Sequence, residues 1–166
     1  MNAGAYGADI SNGLTSVVVI DTNSVATATK SASELGLSYR RSDLKSHEIV
    51  ASATFSLDFA EPATVTATYA QCAEKRRTSQ PQAPSLGCVF KATSDGTPAG
   101  LLIDRCGLKG STHGGAQVSE RHANFIINRG KGTASDFLHL RDLCRDRVYK
   151  EFGTTLCDEI KYLGDI

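Results

Sequence analysis

The sequence lacks an excess of charge of either sign, since 18 basic and 18 acidic side chains among 166 residues give a formal net charge of zero. Such a balance offers no electrostatic reason to expect nucleic acid or an anionic membrane as a partner, although it permits a local basic pocket. The chain also lacks an apolar run near the ~20 residues that span a bilayer. Residues 1–7 lack the basic and apolar regions of a signal peptide. We therefore expect a cytoplasmic protein.

The pattern of a disulfide framework or a zinc site is missing as well. The cysteines are odd in number, and no two of them form a Cys-x-x-Cys pair. We expect reduced thiols, most of them buried, and no metal. The chain also carries no Walker phosphate loop, no HExxH motif and no GxSxG motif. The five cysteines are Cys72, Cys88, Cys106, Cys144 and Cys157.

Apolar residues make up 40% of the sequence, which is enough for a core. The length fits one domain, or one domain with a partial second. A β-branched run predicts a buried strand at residues 15–20, with residues 24–29 as its hairpin partner. Strict alternation over residues 49–57 predicts a strand with one buried face. Further short strands are predicted at residues 88–91, 116–119, 124–128 and 155–163.

Three helices are predicted among these strands. Pro62 suits the first turn of a helix over residues 62–77, and a short helix is predicted at residues 98–106. Thr133 would cap the third helix, with Asp136 in the capping-box position. This order of elements predicts the α+β class, with a mostly antiparallel sheet and two or three packed helices. The apolar stripe of the third helix comprises Phe137, Leu140, Cys144, Val148 and Phe152.

Three residues are candidates for chemistry, and each has a plain structural alternative. Arg40 lies in a polar loop and is either a clamp for a carboxylate or phosphate, or a solvated side chain. Cys88 is either a functional thiol or a small buried hydrophobe. Glu159 lies in a predicted strand, where an exposed carboxylate is the ordinary interpretation. Residue type alone leaves all three alternatives open.

Several segments occur in an order that is more informative than any one of them. They are Tyr39-Arg40-Arg41-Ser42, Leu86-Gly87-Cys88-Val89-Phe90-Lys91, Gly107-Leu108-Lys109-Gly110, Gly114-Gly115-Ala116-Gln117-Val118-Ser119, His122-Ala123-Asn124-Phe125-Ile126 and Asp158-Glu159-Ile160-Lys161-Tyr162-Leu163-Gly164. As a set they resemble the C-terminal half of the UDP-N-acetylmuramate dehydrogenase (UDP-N-acetylenolpyruvoylglucosamine reductase) family. The resemblance covers nearly the whole chain.

The resemblance implies a role for each candidate residue. Arg40 would contact and polarise the enolpyruvyl group of the substrate, Cys88 would donate a proton, and Glu159 would assist that transfer. A thiol suits the donor's role because its ordinary pKa of about 8.5 keeps it largely protonated at neutral pH. Implied substrate-binding residues are Tyr39, Lys91, His122 and Asn124. Implied flavin-binding residues are Asn2, Ala3, Gly4, Ala5 and Gly7.

On the same resemblance we expect an NADPH-dependent flavoprotein that reduces UDP-N-acetylglucosamine enolpyruvate to UDP-N-acetylmuramate, a precursor of peptidoglycan. FAD and NADPH are the implied cofactors, and a UDP-sugar is the implied substrate. Residues 1–78 would be a remnant of the FAD-binding domain, and residues 79–166 the substrate-binding domain. Since most of the flavin-binding region has no counterpart in the sequence, a separately encoded half is an expected partner. The alternative is a catalytically inactive fragment that binds the nucleotide sugar.

Two features of the motifs bear on these roles. Ala92-Thr93 stands where the family usually has Asn-Pro, so an amide expected to help hold the substrate is replaced. The glycines of the segments at residues 107–110 and 114–115 either line the substrate site or serve turns that need positive φ.

Overall fold

The computed structural model describes residues 1–163. The described chain divides into two compact units, Met1–Tyr69 and the part from Ala70 onward. Antiparallel strands build the sheets of both units, and the described residues include three α-helices. The predicted α+β class with antiparallel sheets is confirmed.

The first unit is built on a three-stranded antiparallel sheet in the order β4–β3–β5, preceded by a small hairpin of β1 and β2. β3 and β4 form the hairpin that the β-branched run predicts, with Val18 opposite Thr29. The strands are β1 Gly4–Ala5, β2 Ala8–Asp9, β3 Leu14–Asp21, β4 Thr27–Ser31 and β5 Glu48–Phe55. Two 3₁₀ turns, Ile10–Asn12 and Ala32–Leu35, lie in the connections.

Strand β5 forms where the alternation predicts it, but the prediction of one buried face is wrong. All but its first residue are exposed, including Ile49 at 57%. The buried cluster of this unit consists of Leu14, Val17, Val19 and Leu35 and includes no residue of β5. The turn that carries Leu35 packs against β3 and β4, whereas every residue of β5 after the first is exposed, so both faces of this edge strand meet solvent.

Helix α1, Pro62–Ser79, begins at the predicted proline and buries none of its side chains. It is stabilised locally, for example by an ion pair of 2.7 Å between Glu74 and Arg77 on the same turn. Arg121 donates a hydrogen bond of 2.7 Å to the carbonyl of Arg77, one of the last carbonyls of the helix. Within residues 1–163, no helix is long and apolar enough to cross a membrane.

The second unit contains a four-stranded antiparallel sheet in the order β6–β9–β8–β7. α3 packs against this sheet, and α2 packs against α3. The elements are β6 Ser85–Cys88, α2 Ala99–Arg105, β7 Thr112–His113, β8 Ala116–Val118, β9 Phe125–Asn128 and α3 Ala134–Phe152. Their inward side chains form one apolar core, in which Phe90, Ile103 and Leu140 are fully buried.

Helix α3 follows its sequence signals closely. The Thr133 hydroxyl accepts a hydrogen bond of 3.1 Å from the Asp136 N–H, and the Asp136 carboxylate accepts one of 2.9 Å from the Thr133 N–H. This reciprocal pair is the predicted capping box. Gly153 ends the helix with a φ of +65°. Of the predicted stripe, Leu140, Cys144 and Val148 are buried.

The strand predicted for residues 155–163 is wrong. The segment makes one isolated bridge, Phe90–Asp158, and no continuous ladder. The reason is that several of its side chains have partners elsewhere: Leu156 is buried in the core, and Asp158 bonds to Arg145 of α3. Gly164, which closes the segment in the sequence pattern, lies outside the described residues.

The five cysteines are free thiols that differ in exposure. The expectation that most are buried is wrong, because only Cys144 is buried and Cys157 is exposed. Burial raises the pKa of the Cys144 thiol to about 12, which keeps it protonated and inert at neutral pH. The side chain of Cys144 therefore acts as part of the apolar core.

Candidate functional site

Cys88 lies at the end of β6, at an irregularity of the sheet. β6 pairs with β9 through Ser85–Ile127 and Cys88–Phe125, and the register shifts between these two pairs. Gly87 has a φ of +81° within the shift, although no atom lies within 4 Å of the Cβ that it lacks. Backbone conformation, and not space, therefore favours glycine here. Such bulges re-aim the neighbouring side chain, so Gly87 helps set the direction of the half-buried Cys88 thiol.

Glu159 is held next to the residues that directly follow Cys88 and the end of β6. Its N–H donates to the carbonyl of Val89 over 2.8 Å, and the N–H of Lys91 donates to the carbonyl of Cys157 over 2.9 Å. These bonds set the C-terminal segment antiparallel to the residues that follow Cys88. Cys88 and Glu159, far apart in sequence, therefore lie on adjacent segments, and both are half-buried.

The C-terminal segment is tied to α3 by a network of charged side chains that the sequence patterns did not reveal. Arg145 donates to Asp158 over 2.6 Å, and Tyr162 donates to the other oxygen of Asp158 over 2.8 Å. Arg141 donates to the Tyr162 hydroxyl over 2.7 Å. Burial raises the pKa of Tyr162, which keeps its hydroxyl a donor. The four-residue spacing of the two arginines on one helix face was the available signal.

Lys91 is half-buried, and its side chain leaves the same segment that pairs with Glu159. The residues that depart from the family pattern follow directly. The Thr93 N–H donates to the carbonyl of Thr97 over 3.0 Å, and Asp95 accepts from the N–H of Thr97 over 3.1 Å. The loop after Lys91 is therefore a turn closed by its own side chains.

Asn124 and His122 serve packing and main-chain support in this structure. The Asn124 amide accepts from the Phe90 N–H over 3.0 Å and donates to the Phe90 carbonyl over 2.8 Å. The Asn124 amide therefore has a role other than the substrate contact implied by the resemblance. His122 lies edge-on to Phe125 with ring centroids 4.8 Å apart, and desolvation lowers its pKa below the ordinary 6.5. A neutral, packed imidazole results at neutral pH.

The glycine-rich loops meet backbone requirements. Gly107, Gly110 and Gly114 have φ values of +69°, +79° and +50°. A Cβ on Gly115 would lie 2.4 Å from the nitrogen of Gly132, so these two glycines allow a close approach of main chains. The turn interpretation of these loops therefore has a direct structural basis.

Arg40 lies in a tight turn of the first unit, between Ser38 and Arg41, whose main chains pair with each other. Its φ of +53° is uncommon for a residue with a side chain. The guanidinium donates to the carbonyl of Gly4 over 3.0 Å and lies over the Tyr39 ring, 5.1 Å from its centroid. Strained backbone of this kind is concentrated at functional sites. The turn fixes one guanidinium beside the first hairpin.

Asn2 opens that hairpin and is only 4% exposed. Its amide donates to Asp9 over 3.0 Å and to the carbonyl of Ser38 over 3.2 Å, and it accepts from the N–H of Ser11 over 3.0 Å. The Asn2 side chain thus ties the hairpin to the Arg40 turn.

The tip of the hairpin is open to solvent. Tyr6 and Gly7 have φ values of +55° and +84°, which is the pattern of a two-residue hairpin turn. Ala3, Ala5 and Gly7 are exposed. Gly4 is crowded instead, because a Cβ there would lie 2.9 Å from the carbonyl of Ala8.

The predicted site residues therefore form two groups, one in each unit. The second unit brings together Cys88, Lys91 and Glu159. The first unit brings together Arg40, Tyr39 and the β1–β2 hairpin. Among residues 1–163, no group of three or more His, Cys, Asp and Glu side chains is arranged to hold a metal ion.

A cavity of about 660 Å³ lies in the second unit, against β6 and the start of α3. Its walls are largely apolar and include Leu86, Phe137 and Ile160. Neither Cys88 nor Glu159, the candidate reactive residues of this unit, lines the cavity. The cavity is therefore separate from the reactive side chains, and we assign no substrate to it.

Comparisons with known proteins agree with these motifs. A sequence model described as the C-terminal domain of UDP-N-acetylenolpyruvoylglucosamine reductase matches residues 80–163. The reductase of Gloeobacter violaceus is 42% identical over 99% of this chain and 56% of its own length. That of Geobacter metallireducens is 40% identical over 99% of this chain and 54% of its own length. The chain thus spans about half the length of these curated relatives.

A solved structure has the same fold. The crystal structure of UDP-N-acetylenolpyruvylglucosamine reductase from Thermus caldophilus superposes with a TM-score of 0.81 at 35% identity, and the match covers 94% of this chain and 56% of that one. Sequence and fold lead to the same assignment: this chain belongs to the UDP-N-acetylenolpyruvoylglucosamine reductase family and corresponds to its C-terminal portion.

Proposed function

We propose that this chain supplies the substrate-binding and proton-donating part of a reductase that converts UDP-N-acetylglucosamine enolpyruvate to UDP-N-acetylmuramate. The family assignment supports this reaction, its place in peptidoglycan precursor synthesis and a cytoplasmic location. The observation that carries the proposal is the hydrogen bond from the Glu159 N–H to the Val89 carbonyl, because it places Glu159 next to the residue that follows Cys88.

Cys88 is the proposed general acid. Reduction of the enolpyruvyl ether adds a hydride to its terminal methylene and a proton to the carbon that bears the carboxylate. The Cys88 thiol would give that proton and recover one from solvent, with Glu159 assisting the transfer. The bulge at Gly87 supports this role, because it fixes the direction in which the thiol leaves the strand.

Arg40 is the proposed electrostatic stabiliser. Negative charge develops on the carboxylate side of the substrate during reduction, and a guanidinium held in place before the reaction stabilises such charge. The bond from Arg40 to Gly4 and the stacking on Tyr39 support a fixed orientation. Lys91 remains a candidate contact for the diphosphate, whereas His122 and Asn124 are proposed to support the site through packing and bonds to the main chain.

We propose that the two parts of the chain have different functions. We assign residues 1–78 to the flavin-binding side and residues 79–166 to substrate binding. The compact units divide after Tyr69, inside helix α1, and the family's C-terminal domain matches from residue 80. The functional boundary is therefore proposed at the end of α1, where the prolines at positions 81 and 84 begin a loop.

The β1–β2 hairpin fits a flavin in part. Ala3, Ala5 and Gly7 are exposed there, but the Ala3 carbonyl accepts from the Ile10 N–H and Ala5 pairs with Ala8, while the Asn2 amide is occupied within the unit and Gly4 is crowded. The exposed faces of Ala3, Ala5 and Gly7 would therefore contact the cofactor. When bound, FAD supplies the hydride, which NADPH renews. Further flavin contacts are proposed to come from the part of the relatives' length that this chain does not span.

A second candidate function is binding of the nucleotide sugar without catalysis. The coverage of about half of each relative favours it as the runner-up. In that case the chain alone binds UDP-N-acetylglucosamine enolpyruvate but does not reduce it under any condition.

Calorimetry and an NADPH-oxidation assay separate these functions. The chain with FAD is assayed alone and together with the N-terminal region of the Gloeobacter violaceus relative, and NADH is run in parallel. Turnover that requires this chain supports the proposal. Binding without turnover, both for the chain alone and for the chain with the N-terminal region, supports the runner-up. The absence of both binding and turnover overturns both functions. The mixture without this chain is the control.

A further inference from the structure

We propose that Arg145 and Asp158 are positioning residues that hold Glu159 beside the strand of Cys88. The inference rests on the proposed function of Cys88 and Glu159, but its structural part is measurable without catalysis. It extends the site to a pair of charged side chains on α3 and the C-terminal segment.

The Arg145–Asp158 pair is short and largely shielded from water. The guanidinium donates to one carboxylate oxygen over 2.6 Å, and the side chains are 30% and 19% exposed. Arg145 also lies over the Phe90 ring, 5.9 Å from its centroid, so its orientation is restricted on a second side. A partly buried, charge-assisted bond of this kind is stronger than an exposed ion pair.

The second oxygen of Asp158 is bound from the other direction. The Tyr162 hydroxyl donates to it over 2.8 Å, and Arg141 lies 3.8 Å from it. Asp142 accepts hydrogen bonds from both Arg141 and Arg145, so these two arginines and the two aspartates form one connected network. Asp158 is therefore fixed at both oxygens.

Asp158 is covalently next to Glu159, and this adjacency carries the inference. The segment has no continuous ladder; the bonds from Lys91 to Cys157 and from Glu159 to Val89 join it to the residues that directly follow Cys88. Between those two bonds, Asp158 is the residue whose side chain reaches α3. Loss of its charge would remove one of the two carboxylates that bond the partly buried Arg145, with Asp142 the other, and would loosen both main-chain bonds.

Hydrogen exchange of the intact chain tests the structural part. In Asp158→Asn we expect amide exchange at Glu159 and Lys91 to accelerate about tenfold, whereas exchange at Arg129, which donates to Gly115, stays unchanged. The matched control is Asp104→Asn, which breaks another ion pair of 2.6 Å, with Lys109, in the same unit. Unchanged exchange at Glu159 would overturn the inference.

Kinetics test the link to proton transfer, in the mixture that turns over. In Asp158→Asn we expect kcat to fall about tenfold with KM within twofold, together with a larger solvent isotope effect on kcat. Arg145→Lys, which keeps the charge, should restore part of kcat relative to Arg145→Met. A normal kcat in Asp158→Asn alongside accelerated exchange would overturn the catalytic part. If the wild-type chain never turns over, the proposed function fails, and the exchange result alone decides the positioning claim.

Discussion

The main-chain nitrogen of Glu159 and the carbonyl oxygen of Val89 are 2.8 Å apart, so Glu159, the proposed assisting residue, is bonded directly to the residue that follows Cys88. In Cys88→Ala we expect kcat to fall by about 10²–10⁴-fold, the usual contribution of a general acid, with KM nearly unchanged. NADPH oxidation at saturating substrate measures it. Cys88→Ser keeps a proton donor and should retain most of the activity. Full activity in Cys88→Ala would remove Cys88 from the mechanism.

Arg40→Gly and Arg40→Ala lose the same guanidinium but differ in backbone freedom. Because Arg40 has a φ of +53°, glycine there avoids a left-handed strain of about 1–2 kcal/mol that alanine retains. We expect the two variants to lose kcat equally, by about 10²–10³-fold, while Arg40→Gly keeps the higher free energy of unfolding. Urea denaturation and the reductase assay measure the two effects. Equal stability of the variants would contradict the strain argument.

Gly87→Ala should affect both stability and the direction of the Cys88 thiol. The φ of +81° costs an alanine about 1–2 kcal/mol, and relaxation of the bulge would turn the following residue. Gly96→Ala is the matched control, since Gly96 has a φ of +83° and equally open space around its missing Cβ. We expect similar losses of unfolding free energy in both variants, and a loss of kcat only in Gly87→Ala. A loss of kcat in both variants would show that the effect is general destabilisation.

Stability should depend on pH through His122. Desolvation lowers the pKa of His122 in the folded chain below its ordinary 6.5, so the unfolded chain binds the proton first. The contribution of His122 to the free energy of unfolding is therefore fully present above pH 6.5. It is lost as the pH falls from 6.5 through the lower pKa of His122 in the folded chain. Urea midpoints between pH 7.5 and 5 test this, with His122→Gln as the variant in which the slope should flatten. An unchanged slope in that variant would exclude His122 as the source.

Much of the fold is predictable because local signals and burial agree. At α3, the Thr133 and Asp136 cap, the apolar stripe and Gly153 all indicate the same helix, and the structure has it. The β3–β4 hairpin follows from β-branched residues and turn formers in the same way. The predictions fail where contacts with residues distant in sequence determine the local structure. Strand β5 alternates correctly but lies at an edge without cover, and the segment at residues 155–163 bonds to α3 instead of forming a ladder.

The candidate site was predictable only in part. The motifs propose Cys88 and Glu159 as site residues, and in the structure Glu159 bonds to the residue that follows Cys88. They did not reveal that the Asn124 amide is bonded to the main chain of Phe90, because a buried amide and a ligand-binding amide look alike in sequence. The sequence signals only one side of the Arg145–Asp158 pair, through the spacing of the arginines on α3, because Asp158 lies in an irregular segment that has no periodic pattern.

Cys144 is buried and Cys157 is exposed, so a thiol reagent reaches the two side chains under different conditions. An alkylating reagent can modify Cys144 only when the core of the second unit opens, whereas Cys157 is open to it in the folded chain. Mass spectrometry after timed exposure would therefore read the opening rate of the core from Cys144, with Cys157 as the internal measure of how fast the reagent modifies an exposed thiol. The ratio of the two modification rates would report how rarely that core opens.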